Sequence, residues 1–335
     1  MKPSAWFQIA LGAALGGLAG CRTPGPPPPP VPPPAADART FELPREQMVF
    51  RRISPAAHGR DAPDFWMLET EVTNESYARF LKAAKRSKGD AKLLRRHLRL
   101  LRQGHSAPYA VTGVMDLDVN PALAWNGSRP PAGQEDWPVA LVTVHDAEDF
   151  CAWLTSRHPE LGTFRLPTDV EWLVAAYGKD RQYPWGDEWR DDAFHHTHRP
   201  PPPPEGDWMA LDAWNDIREK APEPVRSRPQ GRTPEGLYAM WGNIEEMVIH
   251  PSNVVNAVVL DVGSRWMGGS FQDANRQRTG SDRVWTPFRP REDYWGFSHG
   301  DRIRSQTLGF RVVLDPNDKE HAFQPRAPYN SAASW

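Results

Sequence analysis

Sulfur is scarce in this chain: 335 residues hold two Cys, Cys21 and Cys151. Two thiols make no disulfide framework, so stability has to come from a packed core. Surplus positive charge is also absent, with 40 Lys and Arg against 42 Asp and Glu and a formal charge of −2. A protein whose main partner is nucleic acid or an acidic membrane needs a net positive field to hold phosphates, and the chain as a whole has none. No apolar run reaches the ~20 residues of a bilayer span. The stretch from Ala5 to Leu18 is interrupted by Gln8 and stops short. Rings and proline, by contrast, are plentiful. The 15 Trp and 13 Phe supply large surfaces to bury, and the length affords one large domain. Proline is about twice average usage, which signals long loops or unfolded tracts.

The first 20 residues read as an address. Lys2 precedes the apolar stretch, which ends in Leu18-Ala19-Gly20-Cys21, small residues that a signal peptidase accommodates. This ending resembles a bacterial lipobox, in which the Cys thiol is acylated and becomes the mature N-terminus, anchored by its acyl chains. The resemblance implies a lipid-anchored protein of the bacterial cell envelope, and Arg22 after the Cys points to the outer membrane. Residues 21–40 are then a Pro-rich linker, since Pro24 to Pro34 favours an extended polyproline II stalk. A second run, Pro200 to Pro204, reads as a surface loop.

Helix signals follow in the body of the chain. Asn74 opens a segment with Tyr77, Phe80 and Leu81 on one face. Ala91 to Gln103 is a basic amphipathic helix, its leucines turned to the core and its Lys and Arg to solvent. Such a face also suits anionic headgroups or an acidic partner. Thr143 with Asp146, and Thr168 with Glu171, have the spacing of N-caps answered by an acid three residues on. The first of these helices turns Cys151 inward, as an inert buried thiol. Gly178 stops the second. Beyond Gly236 come short apolar runs broken by Gly, Pro, Asn and Asp, which predict short strands and ordered loops, with helical periodicity only after Asn243. Arg165, at a strand-to-helix junction, is suited to tie loop carbonyls or a carboxylate, and Trp185-Gly186-Asp187 reads as a tight turn with Asp187 bonding its following backbone.

Several phrases, in order, carry a family resemblance: Glu71-Val72-Thr73-Asn74, Pro138-Val139, Arg165-Leu166-Pro167-Thr168 with Glu171-Trp172, Tyr183-Pro184-Trp185-Gly186-Asp187, Gly236-Leu237-Tyr238-Ala239-Met240-Trp241-Gly242-Asn243, Gly268-Gly269-Ser270-Phe271 and Leu308-Gly309-Phe310-Arg311. Together they resemble the formylglycine-generating enzyme, or sulfatase-modifying factor, family over residues 41–315, leaving 316–335 as a polar tail. The resemblance implies an α+β, C-type-lectin-like fold: a small antiparallel sheet, a few helices and extensive irregular loops.

It also implies chemistry that can be checked residue by residue. Oxidase members bind copper through two Cys after the Gly-Gly-Ser phrase, positions that fall on Asp273 and Arg278, and soft Cu(I) demands thiolates. No Cys exists beyond Cys151. At the family's calcium phrase the corresponding positions are Ala239, Gly242, Ile244 and Glu246. A side-chain oxygen is missing at Ala239, so only a weak calcium site is expected. Glu245 stands where the family has an aromatic. The expected protein is therefore a degenerate member acting as a binding or scaffold module toward a protein or glycan of the envelope, with a contact surface at Glu245, Ser270, Asp273, Arg276 and Arg278. The alternative is a non-haem iron or other metal-dependent oxidase with relocated ligands among His195, His196, His198, Asp273 and Glu245.

Replacing Cys21 with Ser is expected to move the protein from the membrane to the soluble fraction and abolish incorporation of labelled fatty acid. A variant that still carries the label would overturn the lipobox reading.

Overall fold

The computed structural model describes residues 30–35, 37–60, 62–116, 118–196, 221–249, 265–272 and 303–316, with the backbone alone at 109 and 265 and, further, at 254–255 and 258–259. Cys21 and the signal segment, His198, the proline run at 200–204, Asp273, Arg276, Arg278 and the tail beyond 316 lie outside the described residues.

In chain order the elements are β1 (Thr40–Leu43), β2 (Met48–Ile53), β3 (Phe65–Leu68), α1 (Asn74–Ala83), α2 (Asp90–Arg102), α3 (Pro108–Thr112), α4 (Val144–Arg157), β4 (Thr163–Arg165), α5 (Asp169–Tyr177), β5 (Glu245–Val248), β6 (Val254–Val255), β7 (Val258–Val259), β8 (Arg265–Met267), β9 (Leu308–Phe310) and β10 (Val313–Asp315). β1-β2-β3-β10-β4 form one five-stranded sheet, antiparallel throughout. β8-β5-β9 form a three-stranded sheet in which β5 and β9 run parallel, and β6 and β7 form a two-stranded ribbon. The α+β class expected from the resemblance is the one observed.

The larger sheet divides two cores. All four residues of β3 are buried, and because side chains alternate along a strand they serve opposite faces. Trp66 and Leu68 join Phe50, Phe164, Val312 and Leu314 under α1 and α4, where Tyr77, Phe80, Phe150 and Leu154 pack. Phe65 and Met67 join Ile53 and Val313 on the other side, under Trp172 of α5 and the turn residues Leu237, Met240 and Trp241. A strand covered on both faces loses its polar alternation, which is why β3 reads as an uninterrupted apolar run. Val31 and Ala38 rest against the first core, so the Pro-rich segment is not a free stalk as far as residue 40.

The helix ends follow from their caps. Thr143 and Asp146 close a capping box on α4, and Thr168 and Glu171 close one on α5. Cys151 is buried on the inner face of α4. α2 departs from expectation: Leu94 and His97 are its buried residues beside Asp90, whereas Leu93, Leu98, Leu100 and Leu101 are half-covered. His97 is kept inside by partners on both ring nitrogens, the Thr112 hydroxyl at 2.9 Å and the Asp116 carbonyl at 2.8 Å. After Asn243 the chain forms strand β5, not a helix, because it pairs with β8 and β9. In the Trp185-Gly186-Asp187 turn, Asp187 accepts from the preceding Gln182 N–H at 3.0 Å rather than from the backbone after it.

Arg165 joins three elements. Its guanidinium is forked onto Asp315 of β10 at 2.6 and 2.8 Å and onto Glu171 of α5 at 2.8 and 2.6 Å. A lysine cannot reproduce that planar double fork. Arg165→Lys is expected to cost about 2 kcal/mol in urea unfolding. An unchanged midpoint would show the forks contribute nothing.

Candidate functional site

Arg311 sits immediately after β9 with no solvent exposure. Its Nε and Nη2 donate to Glu246 at 3.0 and 2.6 Å, Nη1 donates to the carbonyls of Leu68 and Glu69 at 3.0 and 2.9 Å, and Nη2 also reaches the Tyr238 carbonyl at 2.8 Å. Glu246 accepts a further bond from Trp172 Nε1 at 2.9 Å. This one pair therefore fastens the end of β3, the 238 turn, β5 and α5. In the sequence Arg311 carries no signal of this role, since an arginine after an apolar strand looks like an ordinary surface residue.

Glu71, also fully buried, lies beside the pair. Its Oε1 accepts from Asn243 Nδ2 at 3.0 Å, while its Oε2 has no hydrogen-bond partner among the described residues. Burial pushes its carboxyl up to about 8, with the Glu246 charge adding to the rise and Arg311 opposing it. Asn243 continues the network outward, accepting from the Glu223 N–H at 2.9 Å.

The backbone around Asn243 explains the Gly-Asn pair. Gly242 has φ 71°, and its N–H donates to the Gly268 carbonyl at 2.8 Å. A Cβ there would collide with the carbonyl of His195, so only glycine lets the two segments meet. Asn243, at φ 61°, is a residue type that tolerates the left-handed region. It donates its N–H to the His195 carbonyl at 2.9 Å and accepts from Phe271 N–H at 2.8 Å. Ala239, at φ 49°, lacks any such side-chain advantage, at roughly 1 kcal/mol.

These contacts draw 193–196, 239–245 and 268–272 to one end of the three-stranded sheet, where Phe194, His195, Glu223, Arg228, Trp241 and Asn243 help line a shallow pocket. Among the sequence candidates, Glu245 is half-exposed here, its N–H on the Thr307 carbonyl at 2.7 Å and its carboxylate 3.4 Å from the Thr307 hydroxyl. Ser270 is a correction: it is 4% exposed and its Oγ accepts from Gln272 N–H at 3.3 Å, so it supports the loop instead of forming contact surface. Asp273, Arg276 and Arg278 follow outside the described residues.

The donors expected for calcium do not fit that ion. Gly242 and Ile244 could offer only main-chain carbonyls, Ala239 offers no side-chain oxygen, and both oxygens of Glu246 are held by Arg311 and Trp172. Near Gly242, then, the carboxylate on which the weak site relied is committed elsewhere. The histidines diverge. His195 Nε2 bonds the Ala221 carbonyl at 3.0 Å with Nδ1 3.8 Å from Glu223, whereas His196 packs on Phe194 with Nε2 3.7 Å from Asp191. Among the described residues no three His, Cys, Asp or Glu converge as metal ligands.

Comparison with known proteins places residues 37–316 within the Sulfatase-modifying factor enzyme 1-like domain family. The chain is 27% identical over 179 residues to the inactive C-alpha-formylglycine-generating enzyme 2 of Bos taurus, covering 50% of this chain and 54% of the relative. It is 27% identical over 185 residues to the hercynine oxygenase of Mycobacterium tuberculosis, covering 54% of this chain and 37% of that protein. The chain thus spans about half or less of the length of these relatives. Among solved structures, PvdO from Pseudomonas aeruginosa is similar with a TM-score of 0.45 at 17% identity, covering 82% of this chain and 97% of that one, and CarF with 0.44 at 18%, covering 80% and 93%.

The buried Glu71 gives a signed pH dependence. Its folded value of about 8 lies above the ordinary 4.5, so the stability it contributes is complete below about pH 4.5 and is lost as pH rises toward 8. Glu71→Gln, which keeps a neutral amide there, is expected to flatten the fall in melting temperature between these limits. Equal slopes for the two proteins would overturn the assignment.

Proposed function

The chain belongs to the sulfatase-modifying factor family, and we propose that it is a catalytically degenerate member acting as a binding or scaffold module, lipid-anchored in the bacterial cell envelope. One observation carries this reading: the site has no thiol. The positions expected to hold the copper-binding pair are Asp273 and Arg278, and Cys151, the one Cys beyond the lipobox, is buried in α4 with its thiol pushed well up by burial. Oxygen activation on a soft metal needs thiolates that this chain cannot supply there. The existence of a relative described as inactive is in keeping with a family whose fold outlasts the chemistry.

In place of that chemistry the sequence carries charge. Glu245 introduces a carboxylate where an aromatic is expected, and Asp273, Arg276 and Arg278 add charges of both signs just after the Gly268-Gly269 turn. Charges of both signs in one stretch of sequence suit recognition of a protein or glycan partner through directed hydrogen bonds.

A second reading, a non-haem iron or other metal-dependent oxidase with relocated ligands, is favoured by the likeness to a hercynine oxygenase. Its ligands would come from His195, His196, His198, Asp273 and Glu245. Stoichiometric iron in the purified protein would favour it over the scaffold.

Alanine at Arg276 and Arg278 together is expected to reduce partner capture in cell crosslinking at least several-fold without lowering the melting temperature. Purified protein should not consume oxygen with a Cys-containing peptide. Oxidation of that peptide, or undiminished crosslinking by the double variant, would overturn the scaffold reading.

A further inference from the structure

The α2–α3 pair stands apart from the site and carries an unusual charge distribution. From Ala91 to Met115 the sequence has no Asp or Glu, yet it contains Lys92, Arg95, Arg96, Arg99 and Arg102. All five are exposed in the structure. At 100° per residue they fall within an arc of about 120° on one side of α2. None of the five forms an ion pair among the described residues, in contrast to Arg86, which is paired with Asp149, and Lys88, which is paired with Asp90 inside the fold. Exposed Lys82, in the last turn of α1, and Lys85, in the turn between α1 and α2, precede the stripe in the chain.

The basic arc is not bordered by ordinary polar residues. Leu93 and Leu100 lie along one edge and Leu98 along the other, all three half-covered, with Leu93 packed against the small core of Leu94, Val114, Val119 and Leu141, while Asp90, Leu94 and His97 are buried on the opposite side. On α3, which packs against α2, Val111 is 49% exposed. The partly uncovered leucines beside the arginine stripe, with the exposed Val111 of α3, place apolar and cationic groups side by side. Such a pairing is favourable where the guanidinium groups meet anionic oxygens and the leucines meet hydrocarbon at the same depth.

We propose that α2 is a membrane-docking surface whose occupant is an anionic phospholipid surface, the arginines binding headgroup phosphates and the flanking leucines entering the headgroup boundary. Charge complementarity selects the anion. The pattern favours a lipid sheet over an acidic polypeptide, because the charged stripe lies on the outer face of a helix and is edged with apolar side chains. Neutral total charge is no obstacle, since a surface field is local and decays within about a Debye length. This inference is independent of the recognition surface at Glu245 and of acylation at Cys21, and it would set the orientation of the domain on a bilayer to which it is tethered.

The test is vesicle co-sedimentation of the full chain carrying Cys21→Ser, so that no acyl chain contributes. Vesicles of phosphatidylcholine with about 30% phosphatidylglycerol are compared with pure phosphatidylcholine, at low and high salt. Binding is expected to be at least about tenfold tighter to the anionic vesicles and to weaken with salt. The variant Arg95→Gln, Arg96→Gln, Arg99→Gln, Arg102→Gln is expected to lose at least about tenfold, whereas Lys at the same four positions keeps most of the binding. Should the quadruple Gln variant fail to fold, Arg95→Gln with Arg99→Gln is expected to show an intermediate loss at unchanged melting temperature. Equal binding to neutral vesicles, undiminished binding by the folded Gln variants, or binding to polyglutamate without binding to anionic vesicles would each overturn the proposal.

Discussion

A guanidinium that never meets water has to be bound on every side, and the turns and strands around Arg311 are arranged to do that. Two oxygens of Glu246 and three carbonyls receive its donors, and they come from three separate parts of the chain, residues 68–69, 238 and 246. The desolvation of two such charges is recovered only when every donor is matched. This constraint fixes the Tyr238 turn against β3 and β5 against the segment that follows β9. A loop-rich protein with little regular structure at that end can in this way hold a defined shape. The pair contributes specificity of arrangement, and the two aromatic-rich cores on either side of the larger sheet contribute the bulk of the burial.

Much of this was legible in the sequence, for reasons that can be named. The two capping boxes were visible because a Thr and an acid three residues later satisfy the same N–H groups in any helix. The inward side of α1 and the inert Cys151 followed from spacing alone. What was not legible depended on long-range partners. The charge on Glu246 was read as a possible cation ligand, but Arg311 claims it from 65 positions away. The segment after Asn243 has helical periodicity, and strand pairing with β8 and β9 overrides it. Ser270 looked exposed among Gly-rich neighbours, although the loop folds back so that Phe271 bonds Asn243. His97 sat among leucines and arginines with no local hint that Thr112 and Asp116 would receive its ring.

The site and the support of the site obey different rules here. Gly242, Asn243, Glu71, Trp172 and Arg311 serve the backbone around the candidate site, and all retain partners that explain them. The positions that would serve chemistry, Ala239, Asp273 and Arg278, hold residue types unsuited to the metals the family resemblance implies. Family membership alone therefore describes the shape of this end of the molecule better than its activity, a distinction general to folds that host several functions.

Ala239 shows the same separation within a single residue. Its backbone is held at positive φ by neighbours that are themselves held, through Tyr238 on one side and Gly242 on the other. The conformation is therefore imposed from outside, and the methyl side chain takes no part in it. Such a position behaves as an open socket: a residue that tolerates the left-handed region, such as Asn, would enter it with no rebuilding of the main chain.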